Sequence, residues 1–149
     1  LSTPFLSLPL MATIRERLDQ IRPQIPSNAT LVVVSKYHTV EEIKEAYDAG
    51  VRDFGENRVQ ELVSKVDKLP EDIRWHLIGS LQRNKVKYIA PFITSIQSIE
   101  SLALYDEVER RAAQHNRTID CLVEVYVAQE GSPLRGGGSV FCSTARAAG

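Results

Sequence analysis

The sequence predicts an α/β protein of the (β/α)8 barrel type, here truncated to about its first four and a half βα units. Short apolar segments alternate with amphipathic segments along the chain, which indicates parallel strands connected by helices. No GxGxxG or GxxxxGK[ST] motif occurs, so the usual nucleotide-binding reasons for an open sheet are missing and a barrel is favoured. A complete barrel usually has about 250 residues, whereas this chain has 149.

The first βα unit shows the pattern most clearly. A capping box at Thr13 predicts a helix over residues 13–22. Four consecutive apolar residues open the stretch 31–36 (LVVVSK) and predict a strand buried on both of its faces, as in a parallel sheet covered by helices. A second capping box at Thr39 predicts a helix that ends near Gly50, a residue suited to the position after a helix C-terminus.

Further strands and helices follow in strict alternation. The strands are expected at residues 51–54, 75–78, 92–96 and 121–127. The helices between them are expected to begin after Asn57, at Ser80 and at Ser98. In the first of these helices the residues expected to face the core are Val59, Leu62, Val63 and Val66, with Lys65 near its closing end. In the last they are Leu102, Tyr105, Val108 and Ala112.

The composition indicates an ordinary globular protein. Hydrophobic residues make up 43% of the chain, charged residues 25%, and the net charge is −1, which gives no general attraction to nucleic acid or to an anionic membrane. The two cysteines have neither a CxxC spacing nor a disulfide pattern, so a reducing cytoplasm is expected. No residues have the spacing of a metal site, and no apolar run is long enough for a membrane span.

Both ends of the sequence differ from its middle. Met11 is the only methionine, and the preceding residues lack the basic start of a secretory signal, so we expect residues 1–10 to be an upstream extension. Residues 131–149 contain no acidic residue and five of the chain's eight glycines. We expect them to be a disordered tail, produced by a shifted reading frame or a cloning artefact, after a domain over residues 11–130.

Chemistry is expected at the carboxyl ends of the strands, where ligands bind in parallel sheets. A lysine at the end of the first strand, Lys36, can attack an aldehyde to form a Schiff base if its amine is partly desolvated. Taken singly, each candidate has a plainer interpretation: Lys36 and Glu56 as solvated charges, Asn57 as a helix N-cap, and His76 as a hydrogen-bonded interior histidine. A basic cluster, Arg83, Lys85 and Lys87, has the pattern of a solvated helix face or of an anion site.

The combination of motifs carries more information than any single residue. Three stretches closely resemble the pyridoxal phosphate homeostasis protein family, single-domain relatives of the alanine racemase barrel: Val34-Ser35-Lys36, residues 54–61 (FGENRVQE) and residues 75–85 (WHLIGSLQRNK). The resemblance covers about residues 11–130. It implies that Lys36 holds pyridoxal 5′-phosphate (PLP) as a Schiff base, that Asn57 lines the same pocket, and that His76 is the histidine of the family's Trp-His motif.

The resemblance also implies a function. Members bind PLP without catalysing a reaction and serve intracellular PLP homeostasis, supplying PLP-dependent client enzymes, and the full-length form is expected to be a monomer. In the family the phosphate is held by a segment near the C-terminal end, to which nothing after Glu130 corresponds. We therefore expect weak or no PLP affinity for the chain as given, even though Lys36 is present.

The residues leave three alternatives open. The first is a PLP-dependent amino-acid racemase or decarboxylase, although racemisation needs acid and base groups on both faces of the substrate and no second domain is evident. The second is an aldolase-like barrel that uses Lys36 as a Schiff-base lysine without a cofactor. The third is a non-functional truncated fragment.

Overall fold

A single sheet organises the described part of the chain. The computed structural model describes residues 12–124 and the backbone of residues 144–147. Its six strands lie in sequence order across the sheet, and the first five are parallel. They are β1 (Val33–Val34), β2 (Asp53–Glu56), β3 (Arg74–Leu77), β4 (Ile93–Ile99), β5 (Ile119–Val123) and β6 (Thr144–Ala147).

Helices connect the parallel strands, as the alternating pattern predicts. They are α1 (Ile14–Ile21), α2 (Val40–Asp48), α3 (Val59–Val66), α4 (Val86–Ile89) and α5 (Leu102–Gln114). The capping boxes at Thr13 and Thr39 are confirmed, because each hydroxyl accepts the N–H of the glutamate three residues later at 3.2 Å. Gly50 follows the C-cap of α2 with φ +96°, a backbone conformation that favours glycine.

One face of the sheet is apolar and covered by helices. Paired residues of neighbouring strands lie on the same face, and on this face β2 to β5 contribute Phe54, Trp75, Ile96 and Cys121, all buried. The Phe54 and Trp75 rings pack with their centroids 5.9 Å apart. Burial raises the pKa of the Cys121 thiol to about 11, so this cysteine is protonated and behaves as a small core residue.

The opposite face carries polar groups. Strand register aligns one row across five strands: Val34, Gly55, His76, Ser95 and Asp120. In a barrel this face would be the interior. It is polar for most of its width, because the backbone pairings place a histidine, a serine and an aspartate side by side.

The first strand differs from the prediction. A strand over residues 31–36 buried on both faces was expected, but β1 contains only Val33–Val34, and 45% of the surface of Val34 is exposed. The reason is position, since β1 is at an edge of the sheet and pairs only with β2 among the described strands. A continuous apolar run thus predicted the strand but not its short length or its one open face.

The start of the last helix is also corrected. Ser98 does not open α5 but lies in β4, which is longer than expected, and the N-cap is Ser101, whose hydroxyl accepts the N–H of Leu104 at 3.2 Å. With this helix start, the Leu102 side chain faces away from the core and is 82% exposed. Leu104 faces the core instead and is 3% exposed. Val108 and Ala112 are buried as predicted.

The two terminal predictions have different outcomes. Residues 1–10 lie outside the described residues, as does most of the stretch 131–149. Within that stretch, the expectation of no regular structure is wrong for β6 (Thr144–Ala147), which pairs antiparallel with β5. The sequence of β6, Thr-Ala-Arg-Ala, has little intrinsic strand preference, so its pairing with β5 was not predictable from local pattern.

Membrane-spanning helices and clusters of metal ligands are both missing from the part of the chain that the structure describes. No helix among residues 12–124 is long and apolar enough to cross a membrane. In the same part of the chain, no three histidine, cysteine or acidic side chains are grouped as metal ligands.

The register of α5 is testable by mutation. We expect Leu104→Ala to lower the free energy of unfolding by about 2–5 kcal/mol, because it removes a buried side chain and leaves a cavity. Leu102→Ala on the same helix should change it by less than about 0.5 kcal/mol. Urea unfolding followed by the fluorescence of Trp75, the chain's one tryptophan, measures both. Equal losses in the two variants would contradict the observed helix start.

Candidate functional site

Lys36 lies in a tight turn at the carboxyl end of β1. The turn spans residues 35–38 and is closed by the His38 N–H, which donates to the Ser35 carbonyl at 3.1 Å. Tyr37 has φ +65°, in the left-handed region that non-glycine residues seldom adopt. Lys36 is half-buried, and within residues 12–124 its amine has no hydrogen-bond or ion-pair partner. The amine is therefore available for chemistry at a fixed point of the backbone.

A buried ion network lies beside this turn. The Lys65 ammonium on α3 donates to Glu56 Oε1 at 2.7 Å, to Glu61 Oε1 at 2.7 Å and to the Ser35 carbonyl at 2.9 Å. All three donor positions of the ammonium are thus used. The Lys65 side chain is 8% exposed and that of Glu56 is fully buried, so the network is enclosed between the sheet and α3.

The pKa values of the network favour its charged form. Burial works to lower the pKa of Lys65, but the hydrogen bonds that its ammonium donates to Glu56 and Glu61 outweigh burial and leave this pKa above its ordinary value. The hydrogen bond from Lys65 lowers the pKa of Glu61. One oxygen of Glu56, Oε2, is buried with no hydrogen-bond partner in the described structure. The shifted pKa values of Lys65 and Glu61 both favour the charged form of those two groups.

The loops after β2, β3 and β4 are joined at the same rim. A Cβ on Gly79 would lie 2.3 Å from the Asn57 carbonyl oxygen, so only glycine permits this close crossing of two backbones. The Ser98 hydroxyl donates to the Gly79 carbonyl at 2.6 Å. Asn57 is half-buried in this rim. Its expected role as a helix N-cap is wrong, since the N-cap of α3 is Arg58.

His76 lies in the polar row of the sheet and is held on both sides. Its Nε2 is 2.8 Å from Asp53 Oδ1 and its Nδ1 is 2.6 Å from the Ser95 hydroxyl. Arg74 also donates to both carboxylate oxygens of Asp53 at 2.9 and 2.5 Å. The interpretation of His76 as a hydrogen-bonded interior histidine is confirmed.

The Asp53 carboxylate is stabilised in its ionised form. Burial works to raise its pKa, but the hydrogen bonds from Arg74 and His76 are stronger in sum and hold the pKa below its ordinary value. The ionised Asp53 carboxylate is thus a negative charge beside the polar row, and its hydrogen bond to Nε2 orients the His76 ring.

The structure brings together two of the three predicted site residues. Lys36 and Asn57 both lie at the carboxyl ends of adjacent strands, β1 and β2. His76 is one strand further along, in the row that includes Val34, two positions before Lys36. The described contacts join His76 to Asp53 and Ser95 rather than to either of the other two.

Sequence reasoning missed the ion network. It treated Glu56 as a solvated carboxylate, which is wrong because that side chain is fully buried. It also placed Lys65 among the residues that close α3 and not among those that face the core, while expecting Val63, which is 38% exposed, to face the core. The signal for Lys65 was its position three residues after Leu62 on the apolar stripe, with Glu61 four residues before it.

Comparison with known proteins fits this geometry. The sequence pattern described as "Alanine racemase, N-terminal domain" matches residues 11–144. The chain belongs to this family. We expected the resemblance to end at about residue 130, but the family match continues to residue 144. The α/β barrel type of fold is thereby supported, whereas the described sheet is open between β1 and β6.

Two similar proteins from different organisms have the same name. The chain is 42% identical over 137 residues to the pyridoxal phosphate homeostasis protein of Schizosaccharomyces pombe, covering 85% of this chain and 56% of that protein. The protein of the same name from Aquifex aeolicus is 43% identical over 103 residues, covering 68% of this chain and 45% of that protein. The predicted family, the pyridoxal phosphate homeostasis proteins, is confirmed.

Solved structures extend the agreement to the backbone. PipY of Synechococcus elongatus with PLP bound is 41% identical, with a TM-score of 0.72, over 77% of this chain and 55% of PipY. The form without PLP gives a TM-score of 0.73 at 39% identity, over 79% of this chain and 56% of PipY. The chain spans about half the length of the curated relatives and solved structures that it matches.

The ion network makes a prediction about stability. We expect Lys65→Met to lower the free energy of unfolding by about 3–5 kcal/mol, because it leaves the Glu56 carboxylate buried without its cation. Adding Glu56→Gln should recover part of this loss, since the double variant buries no unpaired charge. Urea unfolding at pH 7 measures both variants. A Lys65→Met protein as stable as the original would contradict the buried pair.

The Asp53 carboxylate makes a prediction about pH. Its pKa is lowered on folding, so the ionised form stabilises the fold at pH values above about 4, the ordinary aspartate pKa, and this stabilisation is lost as the pH falls through the folded pKa. We expect Asp53→Asn to be less stable at pH 6 and to lose less stability than the original between pH 5 and 2. Parallel acid profiles of unfolding free energy in the two proteins would contradict this.

Proposed function

We propose that this chain binds PLP through a Schiff base on Lys36 and takes part in PLP homeostasis without catalysing a reaction. The observation that carries the proposal is the Lys36 turn: an amine with no partner in the described residues projects from a closed turn at the carboxyl end of a parallel strand. The identity of 41% to PipY, a protein solved with PLP bound, supports PLP as the aldehyde.

The residues around the turn fit such a ligand. When bound, PLP supplies an aldehyde for an amine and a flat pyridine ring. Lys36 provides the amine, and Asn57 lies at the next strand end, where its amide can donate or accept hydrogen bonds. Gly55 lies in the same row of the sheet and adds no side chain to it, because the Val32 and Ile78 side chains already fill the space next to it, at 3.2 and 3.3 Å from where a Cβ would lie.

His76 has a different part in the proposal. Both of its ring nitrogens are engaged, by Asp53 and Ser95, so neither is free to hydrogen-bond a ligand without losing a buried partner. We assign His76 to the cofactor site as a rigid neighbour whose ring orientation is fixed by these two bonds.

The absence of catalysis is part of the same proposal. The relatives are named for homeostasis and not for a reaction, which favours binding over the racemase and decarboxylase alternatives. Release of PLP to client enzymes would be hydrolysis of the Schiff base, which would consume one water molecule and return the free aldehyde and the free Lys36 amine.

Selective labelling of Lys36 tests the proposal. The chain is mixed with a large excess of PLP, reduced with borohydride and mapped by peptide mass spectrometry. We expect Lys36 to carry most of the label at short times, because its turn orients the amine, whereas the exposed Lys44 on α2 should react slowly. Because PLP is in large excess, Lys36 can be labelled even if the chain binds PLP weakly.

Two matched variants complete this experiment. Lys36→Ala should remove the fast label and its visible absorbance, whereas Lys44→Ala should leave both unchanged. Equal labelling of Lys36 and Lys44 in the original chain, or persistence of the fast phase in Lys36→Ala, would contradict the assignment of Lys36.

A further inference from the structure

The backbone on both sides of Lys36 is held by side chains of one helix. On one side the Ser35 carbonyl accepts from the Lys65 ammonium at 2.9 Å. On the other side the Tyr37 N–H donates to Glu61 Oε1 at 2.6 Å. The same Glu61 oxygen is 2.7 Å from the Lys65 ammonium, so the two contacts are joined and together enclose the peptide groups of Lys36.

A third contact attaches this arrangement to the sheet. The Ser35 hydroxyl donates to Glu56 Oε1 at 2.7 Å, and Lys65 donates to that same oxygen. Ser35 is 2% exposed and Glu56 is fully buried. The turn is therefore connected to β2 and α3 through side chains, in addition to the backbone pairing of β1.

Stability alone does not explain this choice of residues. Burying a charge pair carries a large desolvation cost, and a well-packed apolar pair in its place is often as stable or more stable. An apolar residue at position 65 would continue the stripe formed by Val59 and Leu62. An apolar pair at positions 56 and 65, however, would leave the Ser35 carbonyl without its Lys65 donor and would leave Glu61, the acceptor for the Tyr37 N–H, without its cation.

We propose that Lys65, Glu61 and Glu56 are positioning residues that fix the turn carrying Lys36 and so direct its amine toward the site. The inference rests on the proposed function of Lys36. A lysine side chain has four rotatable bonds, so its amine samples a large volume, and fixing the backbone at its base narrows that volume. None of the three residues needs to touch the ligand.

Glu61 is the best position at which to test this role. Its side chain is 21% exposed, whereas Lys65 and Glu56 are deeply buried, so a Glu61 variant can lose the contact to Tyr37 and keep the fold. Glu61→Ala removes the acceptor, and Glu61→Gln keeps an amide oxygen at the same place. Glu107→Ala is the matched control, because Glu107 also accepts from two cationic side chains, Arg110 and Arg111, but on α5.

The first measurement is amide hydrogen exchange at Tyr37, which needs no cofactor. We expect Glu61→Ala to speed this exchange about tenfold or more, since a hydrogen bond to a charged acceptor is lost. Glu61→Gln should have a smaller effect, and Glu107→Ala should have none at Tyr37. Unchanged exchange in Glu61→Ala would overturn the proposal.

The second measurement is the rate at which Lys36 is labelled by PLP and borohydride, with Lys44 as the internal reference. We expect Glu61→Ala to lower the ratio of Lys36 to Lys44 labelling several-fold, Glu61→Gln to restore most of it, and Glu107→Ala to leave it unchanged. An unchanged ratio in Glu61→Ala, despite faster exchange at Tyr37, would overturn the positioning role.

The two proposals fail in different ways. If the original chain shows no preference for Lys36 over Lys44, the proposed function is wrong, and the exchange of Tyr37 still decides whether Glu61 fixes the turn. If the preference exists and survives Glu61→Ala, the proposed function stands and the positioning role is wrong. A circular dichroism spectrum identical to that of the original chain establishes that each variant is folded.

Discussion

The ammonium group of Lys65 is the contact on which the described site depends. It joins three parts of the chain that are distant in sequence: the turn after β1 through Ser35, the end of β2 through Glu56, and α3 through Glu61. Each of its three N–H groups donates a hydrogen bond with a nitrogen-to-oxygen distance of 2.9 Å or less. Because a single buried cation satisfies a carbonyl and two carboxylates, removal of any partner leaves unpaired polar groups in a place that water does not reach.

The two faces of the sheet explain why such a network is needed. The helix-covered face is apolar, and Glu56 is the buried acidic residue that β2 contributes to it. The other face is polar in its central strands, where Asp53, His76 and Ser95 are hydrogen-bonded to one another. Lys36 lies where these two environments meet, at the carboxyl edge. Apolar packing holds the strands in place, and the polar contacts hold the side chains at the ends of the strands in place.

Much of the architecture could be predicted from the sequence, because it follows from local patterns. Capping boxes and apolar periodicity predicted α1, α2 and the order of strands and helices, and the combination of the Lys36 motif with the stretches at residues 54–61 and 75–85 predicted the family. The edge position of β1 could not be predicted, since a run of apolar residues does not say how many neighbours a strand has. The start of α5 was missed because Ser98 and Ser101 are both good N-caps, and only tertiary packing selects between them.

The buried network was missed for a related reason. A lysine and two glutamates within ten residues are the usual composition of a solvated helix surface, so frequency alone argues against burial. The burial of Lys65 follows from its position on α3, because it lies on the same face of the helix as Leu62. A lysine can be buried on that face only when its ammonium donates hydrogen bonds to nearby acceptors. Glu56 comes from β2 and the Ser35 carbonyl from the turn after β1, and no local pattern encodes these contacts.

The surroundings of Lys36 are built almost entirely from the first two βα units. Its turn, the strand β2, the helix α3 and the whole ion network lie between Ser35 and Lys65. The rim formed by Asn57 and Gly79 adds only the next loop. Because both partners of each of these contacts lie within residues 35–65, their formation does not require the sheet to close into a barrel. The orientation of the amine is thus a local property of this part of the fold, whereas the rest of a ligand site depends on strands further around the sheet.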